Sequence, residues 1–164
     1  MNRAQTAAFE LRLDDLRSLA ASGHDLNGCL LAACSAHEPD AERQAAVIRF
    51  LANSGVSVQE TDKNGVTPLH RAVRFRSPAA VSLLLELGAD VNATDRKSQS
   101  TPLHRAVTNT GAPSTAGKSN VAVEIARMLI AHGADVGAKN RVGKTPVDYV
   151  NDAAMSVVLT RKTG

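Results

Sequence analysis

The chain has 164 residues, of which 43% are hydrophobic and 21% charged, with a net charge of +3; this is enough for one ordinary domain with its own core. Aromatic residues make up only 2%, with no Trp, one Tyr and three Phe, which excludes an aromatic core and points to Ala, Leu and Val packed on helices. The mild basic excess permits acidic partners without demanding them. The apolar runs are too short to span a membrane, and the charges interrupting MNRAQTAAFELRLDD leave no signal-peptide core.

In chain order, residues 6–22 read as a single helix, closed by the polar turn GHDLN. GCLLAAC follows from Gly28, and its two cysteines, Cys29 and Cys34, flank LLAA. That spacing is neither a redox pair nor half of a zinc site, so both read as buried helical thiols in a reduced, cytoplasmic protein. The connection SAHEPDAERQ leads to IRFLANSGVSV, and then DKNGVTPLHRAV begins at Asp62.

That last segment recurs as DRKSQSTPLHRAV from Asp95 and more loosely as NRVGKTPVDYV from Asn140, while LLLELGADVNA recurs as MLIAHGADVGA. Gly55 and Gly88 lie 33 residues apart, as do Asp62 and Asp95, whereas Gly88 to Gly133 spans 45, an insertion of 12. Thr67, Thr101 and Thr145 each precede a Pro. Thr as N-cap with Pro at the first helical position starts a short helix. VSLLLEL and VEIARMLI then carry apolar residues at helical spacing and close on Gly88 and Gly133. The Asp, Asn and Gly residues that follow favour tight turns leading to the next TP. No single copy could bury its apolar face alone, so the copies must stack.

TPLHRA at residues 67–72 and 101–106, with GADVNA and the 33-residue period, resembles the ankyrin repeat family. The resemblance implies an all-α repeat solenoid of helix pairs joined by β-hairpin-like loops. About three full repeats, at 28–60, 61–93 and 94–138, would lie between an N-terminal cap at 5–27 and a C-terminal capping repeat at 139–164, all in one domain covering 1–164. It further implies that His70 and His104 are structural, bonding around the TP turn and linking neighbouring repeats.

The same resemblance implies a non-enzymatic module that grips a protein partner with its hairpin tips and the concave side of the first helices. Carried over residue by residue, the tips supply Lys63, Asn64 and Val66, then Arg96, Lys97 and Ser100, then Arg141, Val142 and Lys144. The first helices add Arg74, Phe75, Thr108 and Asn109. This edge has six Lys or Arg and no Asp or Glu, which suits an acidic peptide or protein surface with Phe75 as an apolar anchor. Nucleic acid would need stacking aromatics beside the charges, and Phe75 alone does not supply them. No cofactor, metal, membrane or small-molecule substrate is expected.

Residues 112–119 offer an alternative, a nucleotide-binding switch or enzyme, because Gly117, Lys118 and Ser119 satisfy a loose phosphate-loop pattern. Such a loop works between a buried strand and a helix, and here TPLHRAVT, a helix, leads in. A purely structural or inhibitory subunit is the third reading.

Overall fold

A computed structural model describes residues 1–36, 40–108, 119–151 and 153–160, with the side chain of Ser119 left aside. The described residues form helices and turns without strands: α1 (Arg3–Phe9), α2 (Leu13–Ala21), α3 (Cys29–Ala33), α4 (Ala41–Asn53), α5 (Pro68–Arg74), α6 (Pro78–Glu86), α7 (Pro102–Val107), α8 (Ser119–Ala131), a 3-10 turn (Pro146–Tyr149) and α9 (Ala153–Thr160). None of these helices is long and apolar enough to cross a membrane. Each odd-numbered helix up to α7 pairs with the helix after it; α1, α3, α5, α7 and the 3-10 turn stack in one row, while α2, α4, α6, α8 and α9 stack in a second. The result is the helix-pair solenoid expected from the repeats.

The N-terminal segment differs from expectation. Residues 6–22 are not one helix but parts of two, because the chain turns at Leu11, whose φ is +55°. Asn2-Arg3-Ala4-Gln5-Thr6-Ala7-Ala8 falls in register with Thr67-Pro68-Leu69-His70-Arg71-Ala72-Val73. Asn2 caps α1 as Thr67 caps α5, and Gln5 closes the capping box as His70 does. The first unit therefore has both helices of a repeat, built with different polar residues.

Packing repeats as strictly as the caps do. Ala7, Ala33, Ala72 and Ala106 occupy one position in the first row and are at most 1% exposed; a small side chain there lets neighbouring helices approach closely. Leu30, Leu69 and Leu103 share another position and are fully buried, each worth roughly 1.5–3 kcal/mol of burial. Cys34 stands where the other units place Val73 and Val107, and Cys29 where they place Pro68 and Pro102. Both cysteines are buried free thiols. Burial pushes the Cys29 thiol up to about 11 and Cys34 higher still, so neither offers a nucleophilic thiolate.

Between units, one polar bond recurs. Nδ1 of His70 accepts the Thr67 amide at 3.3 Å, so Nε2 carries the proton and donates to the carbonyl of Ser100, just before the next N-cap, at 3.0 Å. His104 repeats the arrangement with Thr101 and the Lys144 carbonyl. Gln5 does the same with its amide, donating from Nε2 to the Asn27 carbonyl at 2.9 Å. A Cβ on Gly28 would lie 2.6 Å from that Nε2, and Gly28 has φ +78°, so glycine is required where the first unit ties to the second.

The second unit has Gly28 and Leu31 where others have Thr and His, and cannot cap itself. Glu60, from the following turn, supplies both functions: its carboxylate accepts the Gly28 amide and the Leu31 amide, each at 2.8 Å. A second set of clamps runs along the ends of the longer helices. Gln59 bonds the Gly88 carbonyl and the Asp90 amide, and Asn92, 33 residues on, bonds the Gly133 carbonyl and the Asp135 amide.

Glu60→Ala should lower the midpoint of chemical denaturation by the equivalent of about 2 kcal/mol, since two amides lose a charged acceptor. Glu42→Ala, on the first turn of α4, should stay within about 0.5 kcal/mol. The His70 ring has a second consequence. Burial pulls its pKa below the ordinary 6.5, outweighing the bond to Ser100 that raises it. Below that ordinary value the unfolded chain takes up a proton that the folded chain resists, so stability is complete at neutral pH and is lost as pH falls. The denaturation midpoint should drop between about pH 7 and about pH 5. His70→Gln should fold and should flatten part of that drop, because Gln5 already makes the same pair of bonds without titrating.

Candidate partner-binding edge

Each hairpin tip is built around one polar side chain. Asp62 turns its carboxylate inward, where Oδ1 accepts the amides of Asn64 and Val66 and Oδ2 meets Arg71 Nη2 at 2.8 Å. Asp95 repeats this with the amides of Lys97 and Ser98, the Ser98 hydroxyl and Arg105 Nη2 at 3.0 Å. In the last tip the pair is replaced by two uncharged residues: Asn140 Oδ1 accepts the amides of Val142 and Lys144, and its Nδ2 donates to the Tyr149 hydroxyl at 2.8 Å.

Burial alone would raise the Asp95 carboxyl, whose side chain is 1% exposed, but the Ser98 hydroxyl and amide and the Arg105 guanidinium outweigh it and hold the pKa down to about 2. Asp62 is likewise brought low, burial being overcome by the Val66 and Asn64 amides and by Arg71. Both stay ionised at neutral pH, and their charge is met inside the tip by Arg71 and Arg105.

The tips are stitched side by side. The Arg96 amide donates to the Asn64 carbonyl at 2.8 Å, and the Arg141 amide to the Ser98 carbonyl at 2.9 Å. Gly65 permits the first of these contacts, since its φ is +74° and a Cβ there would lie 3.1 Å from the Arg96 nitrogen. In the Asp95 tip, Gln99 takes the left-handed position with φ +51°, and the extra residue is absorbed by an Asp95 carbonyl that accepts from Gln99 instead of closing three residues on.

Lys63, Arg74, Arg96, Lys97, Arg141 and Lys144 are all exposed along this edge, and among the described residues none joins an ion pair. Asn64 and Val142 are exposed beside them, with Val142 at 71%; Val66, Phe75 and Thr108 are half-buried. Ser100 is mostly buried, its amide bonded to Asp95, its hydroxyl bonded to that of Ser98 and its carbonyl accepting from His70. It holds the tip together and lines the groove between this tip and the next. Asn109 lies outside the described residues, as do His37 and residues 111–118, including Gly117 and Lys118. The described flanks of that insertion are α7 and α8, so a helix leads into it where a phosphate loop needs a strand.

Between the last two tips lies a groove of about 400 Å³, lined by Lys97, Arg105, Thr108, Arg141, Val142 and Tyr149. Arg105, Asn140 and Tyr149 were not among the expected contact residues. Their signal was present in the sequence: Asp62 and Arg71, Asp95 and Arg105, and Asn140 and Tyr149 occupy matching places in the three copies, and the two members change together. Both ring nitrogens of His70 and His104 are engaged within the fold. Among the described residues, no three His, Cys, Asp or Glu side chains converge to hold a metal ion.

A family model for ankyrin repeats, in three copies, matches residues 5–95, and one for a single ankyrin repeat matches residues 98–141. The chain is 35% identical over 125 residues to an ankyrin repeat protein of Fowlpox virus (strain NVSL), covering 75% of this chain and 32% of that one. It is 30% identical over 155 residues to Rabankyrin-5 of Mus musculus, covering 84% and 12% respectively. With Ankyrin repeat and SOCS box protein 11 of Danio rerio it shares 32% over 123 residues, covering 75% and 38%. The chain thus spans well under half the length of each of these relatives. Matched across most of its residues and folded as stacked helix pairs, the chain belongs to the ankyrin repeat family.

Proposed function

We propose that this chain is a non-enzymatic protein-interaction module that holds an acidic segment of a partner protein along its hairpin tips and the concave side of its first helices. Ankyrin repeats are generally protein-interaction modules, and the choice of an acidic partner rests on one observation: the edge turns its carboxylates inward and its cations outward. Asp62 and Asp95 are consumed by tip amides and by Arg71 and Arg105, while six exposed Lys and Arg remain without an ion-pair partner among the described residues. Such a field accelerates encounter and fixes register more than it adds raw affinity. Tips already tied to one another lose little freedom on docking, which favours rigid display as the mechanism. Two buried free thiols fit a reducing compartment, and the cytoplasm is the one proposed.

Lys63→Glu, Arg74→Glu and Arg96→Glu together should abolish affinity capture of the partner from native extract while leaving the helical circular-dichroism spectrum unchanged. Arg141 is spared in this variant because its Nη2 holds the Arg96 carbonyl at 2.7 Å. Captured wild-type complexes should also release as salt is raised past about 0.15 M, where the screening length falls to about 8 Å. An unchanged set of partners on the reversed edge would contradict the assignment.

A further inference from the structure

The groove between the last two tips differs from the junction before it in one respect that carries chemistry. At the preceding junction, the matching first-helix positions are both Arg, Arg71 and Arg105, each paired to its own Asp. At the last junction, Tyr149 stands in place of the second Arg and Asn140 in place of its Asp. Arg105 and Asp95 cancel, and what remains facing the groove is Lys97 and Arg141, with no exposed carboxylate in the lining. Lys97 has no side-chain partner among the described residues, and Arg141 uses only Nη2 on the Arg96 carbonyl. Beside these two cations stands Val142, 71% exposed, with the half-buried Tyr149 ring behind it. Two cations beside an exposed aliphatic side chain, within about 400 Å³, are the size and chemistry of a two-residue subsite.

We infer, resting on the proposed binding of an acidic partner, that this groove is its specificity subsite and takes an extended peptide carrying a carboxylate next to an aliphatic side chain. The carboxylate lies against Lys97 and Arg141, and the aliphatic group covers the exposed Val142. A protein segment fits better than nucleic acid because Tyr149 has little to offer a base. The Lys144 ammonium lies over its ring, 5.4 Å from the centroid; His104 meets its edge at 6.3 Å between centroids; and its hydroxyl is bound by Asn140. An extended segment also suits a row of tips whose backbones already run side by side.

The test is fluorescence anisotropy with a labelled peptide of alternating Glu and Leu as the probe, titrated with the whole chain. Lys97→Glu and Val142→Asp alter exposed side chains that make no hydrogen bond or ion pair among the described residues, and each should weaken binding about tenfold or more. Lys63→Glu makes the same charge change at the far tip and should weaken binding by less than about threefold. If Lys97→Glu and Lys63→Glu weaken binding equally and Val142→Asp has no effect, the edge acts as a general field and the subsite is wrong, although the acidic-partner reading survives. Failure of the wild-type chain to bind the peptide also overturns the subsite, while partner capture by the reversed edge judges the broader reading separately. Displacement of the peptide by a single-stranded oligonucleotide at lower concentration than by unlabelled peptide would overturn it in favour of nucleic acid.

Discussion

One hydrogen bond, from the third residue of a first helix to the carbonyl just before the next unit's N-cap, sets the spacing on which the rest of this molecule depends. His70, His104 and Gln5 each make it, and each is held in orientation by its own N-cap, so a single side chain both starts a helix and fixes the position of its neighbour. Hydrophobic burial supplies most of the free energy of stacking, but burial is not directional. The Ala and Leu positions would tolerate a sliding or rotated stack; a ring with its two nitrogens committed to separate units does not.

The second unit shows that the requirement is for the bonds and not for a residue type. Lacking Thr and His, its α3 is capped instead by Glu60 from the turn after α4, and the stack keeps its register. The consequence reaches the functional edge. Because the units are locked, Arg96 and Arg141 can reach the carbonyls of the preceding tip, and the tips form one continuous surface. Because each tip needs an internal acceptor, Asp62 and Asp95 face inward, and the basic character of the outside follows from how the turns are built as much as from how many Lys and Arg the chain has.

Much of this was legible in the sequence, and the exceptions have physical reasons. The TP caps and the repeat period gave away α5, α7 and the 3-10 turn, because Thr-Pro acts locally and looks the same wherever it occurs. The first unit was misread because Asn-x-x-Gln has the geometry of Thr-x-x-His but shares no residue with it. Glu60 was invisible because its targets lie 32 and 29 residues away. Ser100 aligns with Val66 and Lys144, and only the structure shows that the extra residue in its turn sets its amide under the Asp95 carboxylate, at the floor of the groove. The groove was missed because it forms where a charged pair gives way to Asn140 and Tyr149, a change that carries meaning only when two distant positions are read together.

The most direct test of the central claim is the amide spectrum of the isotopically labelled chain during titration with an acidic peptide. The account predicts shifts concentrated at residues 63–66, 96–100 and 141–144, saturating together and diminishing as salt is added. Shifts confined to the outer row of α2, α4, α6 and α8, or unaffected by salt, would contradict it.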